Sequence, residues 1–201
     1  MWHYHLNFFE SDENTITIHP ALYKRLTCLR KYIKGGSLID IGCNEGFYCF
    51  GFHDICNSIY GCDHKNHIIQ ESKKIQNTYN ITNVEFGVER APNINRLSLQ
   101  QWDHCLYLSL HHHIISQLGW SKANAFLQTI SQHCNNMYFD MGQSDKKPSH
   151  WAEKLSKVGN IEEWMRDYLL ENTDYNTIEL IGAFPSLIPL ERRLLWHLTK
   201  Q

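Results

Sequence analysis

The chain predicts an α/β fold, a seven-stranded, mostly parallel sheet with helices on both faces and an antiparallel strand pair at its C-terminal end. Strand-like apolar runs alternate with helical stretches through most of the sequence, the pattern of a parallel sheet covered on both faces. The first of these runs ends in a tight glycine turn, Asp40-Ile-Gly42-Cys43-Asn44-Glu45-Gly46, that opens a helix. Such a turn sets backbone N–H groups and a helix N-terminus at the end of a strand, where a nucleotide-like ligand can lie. The last two strand-like runs are joined by a connection too short for a helical crossover, so they pair as antiparallel neighbours.

The elements follow in order. Residues 1–14 are rich in aromatics and histidine and show no clean period. A helix is expected over 19–34, with Pro20 in its first turn and Gly35-Gly36 past its end. Tyr23, Leu26, Leu29 and Ile33 share one face of it. Lys24, Arg25, Arg30, Lys31 and Lys34 decorate the rest, as a solvated outer face or as a surface for an anionic substrate. Strands are expected at 38–41, 58–62, 84–88, 104–108, 137–140, 177–184 and 194–198. Helices are expected at 46–56, 66–79, 122–133 and 161–170. The segment 90–101 is weaker, with a short helix near its end. Pro185 and Pro189 mark the final connection, and 143–151, with Asp145, Lys146, Lys147 and Pro148, reads as a long loop.

At 201 residues the chain is most simply one domain able to bury a normal core. Apolar residues make up 42% and charged residues 20%, an ordinary balance for a globular protein. The formal net charge of -2 supplies no global field to recruit nucleic acid or an anionic membrane. Thirteen histidines would raise that charge below neutral pH. Seven cysteines with no CxxC pair and no signal peptide point to a reducing, cytoplasmic setting. Cys43, Cys49, Cys56, Cys62 and Cys105 lie in or beside apolar runs, where cysteine behaves as a small hydrophobe. No apolar run reaches the roughly 18 residues a membrane span needs.

The glycine turn also discriminates between cofactors. A nicotinamide turn reads GxGxxG, but here Asn44 stands where the middle glycine would be and Phe47 replaces the last. A P-loop needs GxxxxGK[ST], and no lysine follows Gly46. A second strand ends at Asp63, roughly 20 residues beyond the turn, the spacing of a carboxylate that grips ribose hydroxyls. The pattern Asp-x-Gly-x-x-x-Gly, read here as DIGCNEGFY, resembles motif I of the class I S-adenosylmethionine-dependent methyltransferases. The resemblance extends from the helix before Leu38 to the closing strand pair. It includes Asp63 and the Trp102-Asp103-His104 opening of the fourth strand.

That resemblance implies one methyltransferase domain over 1–201. Residues 1–36 would form an N-terminal lid and helix, and 37–201 a Rossmann-like core. It implies S-adenosylmethionine as methyl donor and S-adenosylhomocysteine as product. Asp40 would orient the methionine ammonium, and Gly42 would admit the cofactor to the backbone. Gly46 would allow close packing at the helix start, where Cys43 and Phe47 flank the turn. Asn44, which tolerates unusual backbone angles, would touch the carboxylate or the substrate. Asp63 would accept from both ribose hydroxyls, with His64 against the adenine. Glu89 is the best match for the adenine-reading acid, with Val88 packing the ring; the alternative is a surface carboxylate paired with Arg90. Tyr107, Leu108 or Ser109 would hold the methionine end.

His111-His112-His113 follows the fourth strand directly, so at least one imidazole should face the catalytic mouth. A metal site is disfavoured, because adjacent residues converge poorly on one ion and no Glu-x-x-Glu-His-His pattern is present. A general base acting on a hydroxyl and a wall that only caps the helix and lines the pocket both stay open. The histidines tilt the acceptor toward oxygen, and the absence of aromatic–basic interleaving favours a small or sugar-like acceptor over nucleic acid. The aromatic N-terminal segment (Trp2, His3, Tyr4, His5, Phe8, Phe9) would act as a lid or a hydrophobic clasp, with Trp151 and its loop as the opposite wall. An RNA or protein methyltransferase, and a non-catalytic methyltransferase-like subunit, are the competing readings.

Overall fold

The computed structural model describes residues 20–142, 159–185 and 192–200. The expected aromatic lid, the loop at 143–151 and the connection marked by Pro185 and Pro189 lie outside them, wholly or in large part. The elements are α1 (Pro20–Tyr32), β1 (Ser37–Ile41), α2 (Phe47–Gly51), β2 (Ser58–Asp63), α3 (Asn66–Thr78) and β3 (Val84–Val88). A 3-10 turn (Asn95–Leu99) precedes β4 (Trp102–Leu108). Then come α4 (His111–Leu118), α5 (Trp120–His133), β5 (Cys134–Asp140), α6 (Ile161–Glu171), β6 (Thr177–Pro185) and β7 (Arg192–Thr199).

The strands form one sheet in the order β3-β2-β1-β4-β5-β7-β6. The first five are parallel, and β7 runs antiparallel to both β5 and β6. The closing pair is therefore antiparallel as expected, with β7 inserted between β5 and β6. This is the seven-stranded α/β fold with a C-terminal antiparallel pair.

Side-chain alternation along the central strands divides the core in two. Ile39, Ile41, Cys105 and Tyr107 point to the face covered by α4, α5 and α6. Leu38, Leu106 and Leu108 point to the face covered by α1, α2 and α3. Both faces are buried, as a parallel sheet requires. The cysteines follow this packing: all seven are free and six are buried.

Local chemistry sets the helix ends. Asn160 caps α6 by accepting from the N–H groups of Glu162 and Glu163 at 3.0 and 3.3 Å, and both glutamates sit favourably in the first turn. Two sequence expectations change. The helix expected over 46–56 is a single buried turn ending at Gly51, followed by turns. The stretch after β4 forms a separate helix, α4, broken from α5 at Gly119, whose φ is 81°. The basic helix also changes. Arg30 is pinned to Asp54 at 2.7 and 2.9 Å, while Arg25 is buried against Asp140 rather than solvated.

Candidate active site

The sheet order reverses beside β1, whose two neighbours are β2 and β4. Ligands of open α/β sheets bind at the carboxyl ends of the strands at such a point. Two hollows open there. A cleft of about 450 Å³ takes its walls from the ends of β1, β2, β3 and β4 and from α4. A side cavity of about 180 Å³ lies toward α1. Gly42, Asn44, Leu108 and Ser109 line both, so they form the rim between the two. A groove of about 680 Å³ beside Trp120, Trp164 and Tyr168 shares no residue with either. Size alone does not mark the site; the strand ends do.

The glycine turn is built by unusual backbone angles. Gly42 and Gly46 have φ of 83° and 79°, and Asn44 adopts φ 50°, the left-handed conformation that asparagine tolerates. A Cβ on Gly46 would fall 2.7 Å from the Phe86 ring. The amides of the turn are already partnered: those of Gly42 and Cys43 donate to the Cys62 carbonyl, and that of Gly46 donates to the Cys43 carbonyl. The turn therefore grips its own scaffold. Among these groups the recognition chemistry passes to side chains.

Asp63, at the end of β2, is fixed on both oxygens. Oδ2 accepts from the Asn44 N–H at 3.3 Å and Oδ1 from the Lys65 N–H at 3.0 Å. His64 Nδ1 lies 3.2 Å from Oδ1, and Asp63, His64 and Lys65 all line the cleft. Glu89 lines it too. Its Oε1 accepts from the Tyr60 hydroxyl at 2.6 Å, and its Oε2 accepts from the Asn95 N–H. The expected alternative pairing with Arg90 is not its bonding; Glu89 is held from inside the sheet. Val88 is 47% exposed and stands outside the cleft wall, where the apolar surface comes instead from Ile41, Ile94 and Ile114. The weak apolar signal of the 90–101 segment hid Ile94.

Asp40 lines the side cavity and is buried to 3% exposure. Burial pushes its carboxyl up to about 7, with the nearby Asp63 charge adding to the rise and the Cys49 thiol, 3.6 Å away, opposing it. Cys43 and Phe47 line the same cavity; Gly46 lines neither hollow. Ser109 sits on the rim with φ 57°. Asp140, at the end of β5, holds it there: Oδ1 accepts from the Ser109 N–H at 2.7 Å and its hydroxyl at 2.9 Å. On its other side, Asp140 Oδ2 is 2.9 Å from Arg25 Nη1. Burial pulls the Arg25 guanidinium down, but Asp140 and Tyr48 outweigh it and leave its pKa raised. Tyr48, Asp140, Ile94 and Ile114 are among the residues at the two hollows or bracing them that sequence reasoning did not name, and Arg25 was read only as part of a basic helix surface.

The histidine triplet is not a unit: one imidazole meets the cleft, and His111 and His112 are corrected as candidates at its mouth. His111 is fully buried. Tyr107 lies 3.1 Å from its Nδ1 and Tyr168 lies 2.7 Å from its Nε2. Tyr168 donates its own proton to Asn124 at 2.6 Å, so Nε2–H must donate to Tyr168 and Nδ1 must accept from Tyr107. The imidazole is neutral, with burial pushing its pKa down to about 3. His112 is buried as well; its Nδ1 accepts from the Gly142 N–H at 3.2 Å, and burial again lowers it to about 3. Only His113 of the three lines the cleft. Tyr107 is likewise buried in the opposite core, leaving Leu108 and Ser109 at the rim. Among the described residues no group of three His, Cys, Asp or Glu is arranged to hold a metal ion, and no helix is long and apolar enough to cross a membrane.

This geometry is that of the class I S-adenosylmethionine-dependent methyltransferase fold. Solved structures of that kind superimpose on nearly the whole chain. The bifunctional kinase-methyltransferase WbdD aligns at TM-score 0.67 with 18% identity, over 90% of this chain and 38% of that one. EvdMO1 aligns at 0.66 with 16% identity, over 95% of this chain and 45% of that one. The N-terminal domain of EvdMO1, solved in the presence of SAH and D-fucose, aligns at 0.66 with 14% identity, over 92% and 85% of the respective chains. The chain thus spans less than half of the full WbdD and EvdMO1 chains. No protein-family model matches it, and no curated protein matches it.

Proposed function

We propose that the chain is an S-adenosylmethionine-dependent methyltransferase acting on an oxygen of a small or sugar-like acceptor. The observation that carries this reading is the continuity of the two hollows at the strand ends. Asp63 and Glu89 stand in the cleft, Asp40 stands in the side cavity, and the Leu108–Ser109 rim lies between them. Two hollows that share a rim, each with a carboxylate, suit a ligand with a nucleoside at one end and an amino-acid head at the other. The EvdMO1 domain solved with SAH and D-fucose supports both the donor and a sugar-like acceptor.

The residues present fit the donor. The Asp63 carboxylate, fixed by the Asn44 and Lys65 N–H groups at the cleft wall, would accept from ribose hydroxyls, a charge-assisted contact. Ile94 and Ile114 offer apolar faces to a base. Bound S-adenosylmethionine would supply a methyl carbon made electrophilic by its sulfonium. The chain's contribution is alignment and exclusion of water. Ser109, held by Asp140, and its neighbour Leu108 form the rim at which the acceptor oxygen would meet the methyl carbon. The acceptor proton leaves to His113 or to solvent; His111 and His112 are neutral, buried and committed to other bonds.

Calorimetry with S-adenosylhomocysteine is the first test, and failure to bind overturns the reading. Incubation with S-adenosylmethionine and a panel of monosaccharides and small alcohols, read by mass spectrometry for one added methyl group, tests the acceptor class. Methylation confined to RNA or protein, with affinity falling steeply as salt rises, would favour the macromolecular alternative.

A further inference from the structure

We infer that the methyl acceptor carries an anionic group, a phosphate or a carboxylate, and that Arg193 receives it beside His113 and Lys65 at the α4 end of the cleft. The inference rests on the donor reading above and names the acceptor class of that same site. Arg193 comes from the first residues of β7, opposite Phe184 of β6. It belongs to the closing antiparallel pair and to none of the motifs on β1 and β2. Phe139 of β5 stands opposite Trp196 of β7. Because these two strands run antiparallel, continuing that register brings Arg193 level with Gly142, just past the carboxyl end of β5. Gly142 donates its N–H to His112 Nδ1 at 3.2 Å, and the His112 and His113 rings lie with centroids 4.1 Å apart. His113 and Lys65 both line the cleft. The register thus delivers a guanidinium from the last strand to the helix that walls the cleft.

That guanidinium lacks a counter-charge. Arg193 Nε is buried with no hydrogen-bond partner. Among the described residues no ion pair engages Arg193 or Lys65. A buried donor on a cation is costly unless a ligand completes it. The positive charge is felt at the cleft wall: burial first, then Arg193 and Lys65, hold the His113 imidazole below the ordinary histidine range. The neighbouring acids are already engaged. Asp140 holds Arg25 with one oxygen and Ser109 with the other. Asp63 accepts from the Asn44 and Lys65 N–H groups, and Glu89 from the Tyr60 hydroxyl and the Asn95 N–H. Helix α1, where the sequence left open a surface for an anionic substrate, spends Arg25 and Arg30 on Asp140 and Asp54. A cationic acceptor would meet Arg193, Lys65 and the donor's own sulfonium, and a neutral one would leave Arg193 unanswered. An anion is attracted by all three, and a planar guanidinium matches two oxygens of a carboxylate or phosphate.

Calorimetry on the full chain saturated with S-adenosylhomocysteine tests this at fixed ionic strength. Inorganic phosphate and acetate, each titrated against a chloride control, probe the anion site without regard to the rest of the acceptor. Glucose 6-phosphate, glucuronate and glucose probe it in a sugar. At least one of the two inorganic or simple anions is expected to bind about tenfold or more above chloride, and the matching anionic sugar to bind at least tenfold more tightly than glucose. Whichever arm leads decides between phosphate and carboxylate. Arg193→Met should remove both preferences while affinity for S-adenosylhomocysteine stays within about twofold, and Arg193→Lys should keep part of them. Wild type binding neither phosphate nor acetate above chloride overturns the inference, with no variant required to fold. So does an anion preference that survives Arg193→Met, or a wild-type preference for glucose over both anionic sugars. In each of these cases S-adenosylhomocysteine still binds and the donor reading stands. If S-adenosylhomocysteine itself does not bind, the donor reading falls, and this inference falls with it.

Discussion

Asp40 illustrates how a carboxyl proposed to meet a ligand can cost the fold stability. Its carboxyl is raised from an ordinary 3.8 to about 7, chiefly by burial. A group with a raised folded pKa contributes its stability fully below the unfolded value and loses it as pH rises through the folded value. Wild type should therefore lose stability between about pH 4 and 7 relative to Asp40→Asn, which has no proton to release. Urea midpoints of the two proteins should diverge over that window and favour the variant at pH 8. The same substitution should weaken S-adenosylhomocysteine by ~2 kcal/mol, the worth of a charged hydrogen bond. Wild-type affinity should rise from pH 5.5 to 7.5 as the acid ionises, while that of the variant stays flat. Coincident midpoints at every pH would remove the buried-acid account. The histidines make the opposite case. His111→Ala strands the Tyr107 hydroxyl in the core, leaves Tyr168 with Asn124 as partner, and opens a cavity, and should cost ~3 kcal/mol of stability. His113→Ala, at the exposed cleft wall, should leave the melting temperature within a degree or two. Loss of turnover with retained donor affinity in that variant would mark His113 as the base; unchanged turnover would make it a wall.

At the scale of elements, the glycine turn does less binding and more bracing than its pattern promises. Its amides return to β2 and to the turn itself, and Asn44 lends its N–H to Asp63. The turn's positive φ angles and the Phe86 ring that crowds Gly46 make Gly46→Ala a steric and conformational fault. It should lower stability by ~2 kcal/mol or more and loosen the donor cleft with it, measurable as a joint fall in melting temperature and S-adenosylhomocysteine affinity. Asn160 is a cleaner control. Asn160→Ala removes the α6 cap and should cost ~1 kcal/mol with donor affinity intact, because α6 touches neither hollow. A change in affinity there would mean α6 communicates with the site. The rim is the joint product of two strands. Ser109 follows the end of β4, but its left-handed backbone is kept by Asp140 from β5.

For the whole molecule, the sheet order explains why the site lies where it does. β1 sits between β2 and β4, the crossovers leave in opposite directions, and the gap at their carboxyl ends is what the cleft and side cavity fill. A ligand that bridges the two should stabilise the entire fold by mass action, about 2.7 kcal/mol at a hundredfold excess over its dissociation constant. Thermal melts with S-adenosylhomocysteine should rise with ligand concentration, and with methylthioadenosine much less.

Seven strands, their alternation with helices, the antiparallel close and the acids at the ends of β1 and β2 were all legible in the chain. Each of these is a local pattern: period, turn residues and connection length act within a few residues of chain. Folding, not local pattern, decides which face each polar residue meets. Arg25 is surface-like by sequence and buried against Asp140 in the fold, 115 positions away in the chain. Three consecutive histidines read as one motif, yet their helix turns about 100° per residue, so His111 enters the core while His113 meets the cleft. Burial and charge pairing arise between elements distant in sequence, and no local pattern encodes them.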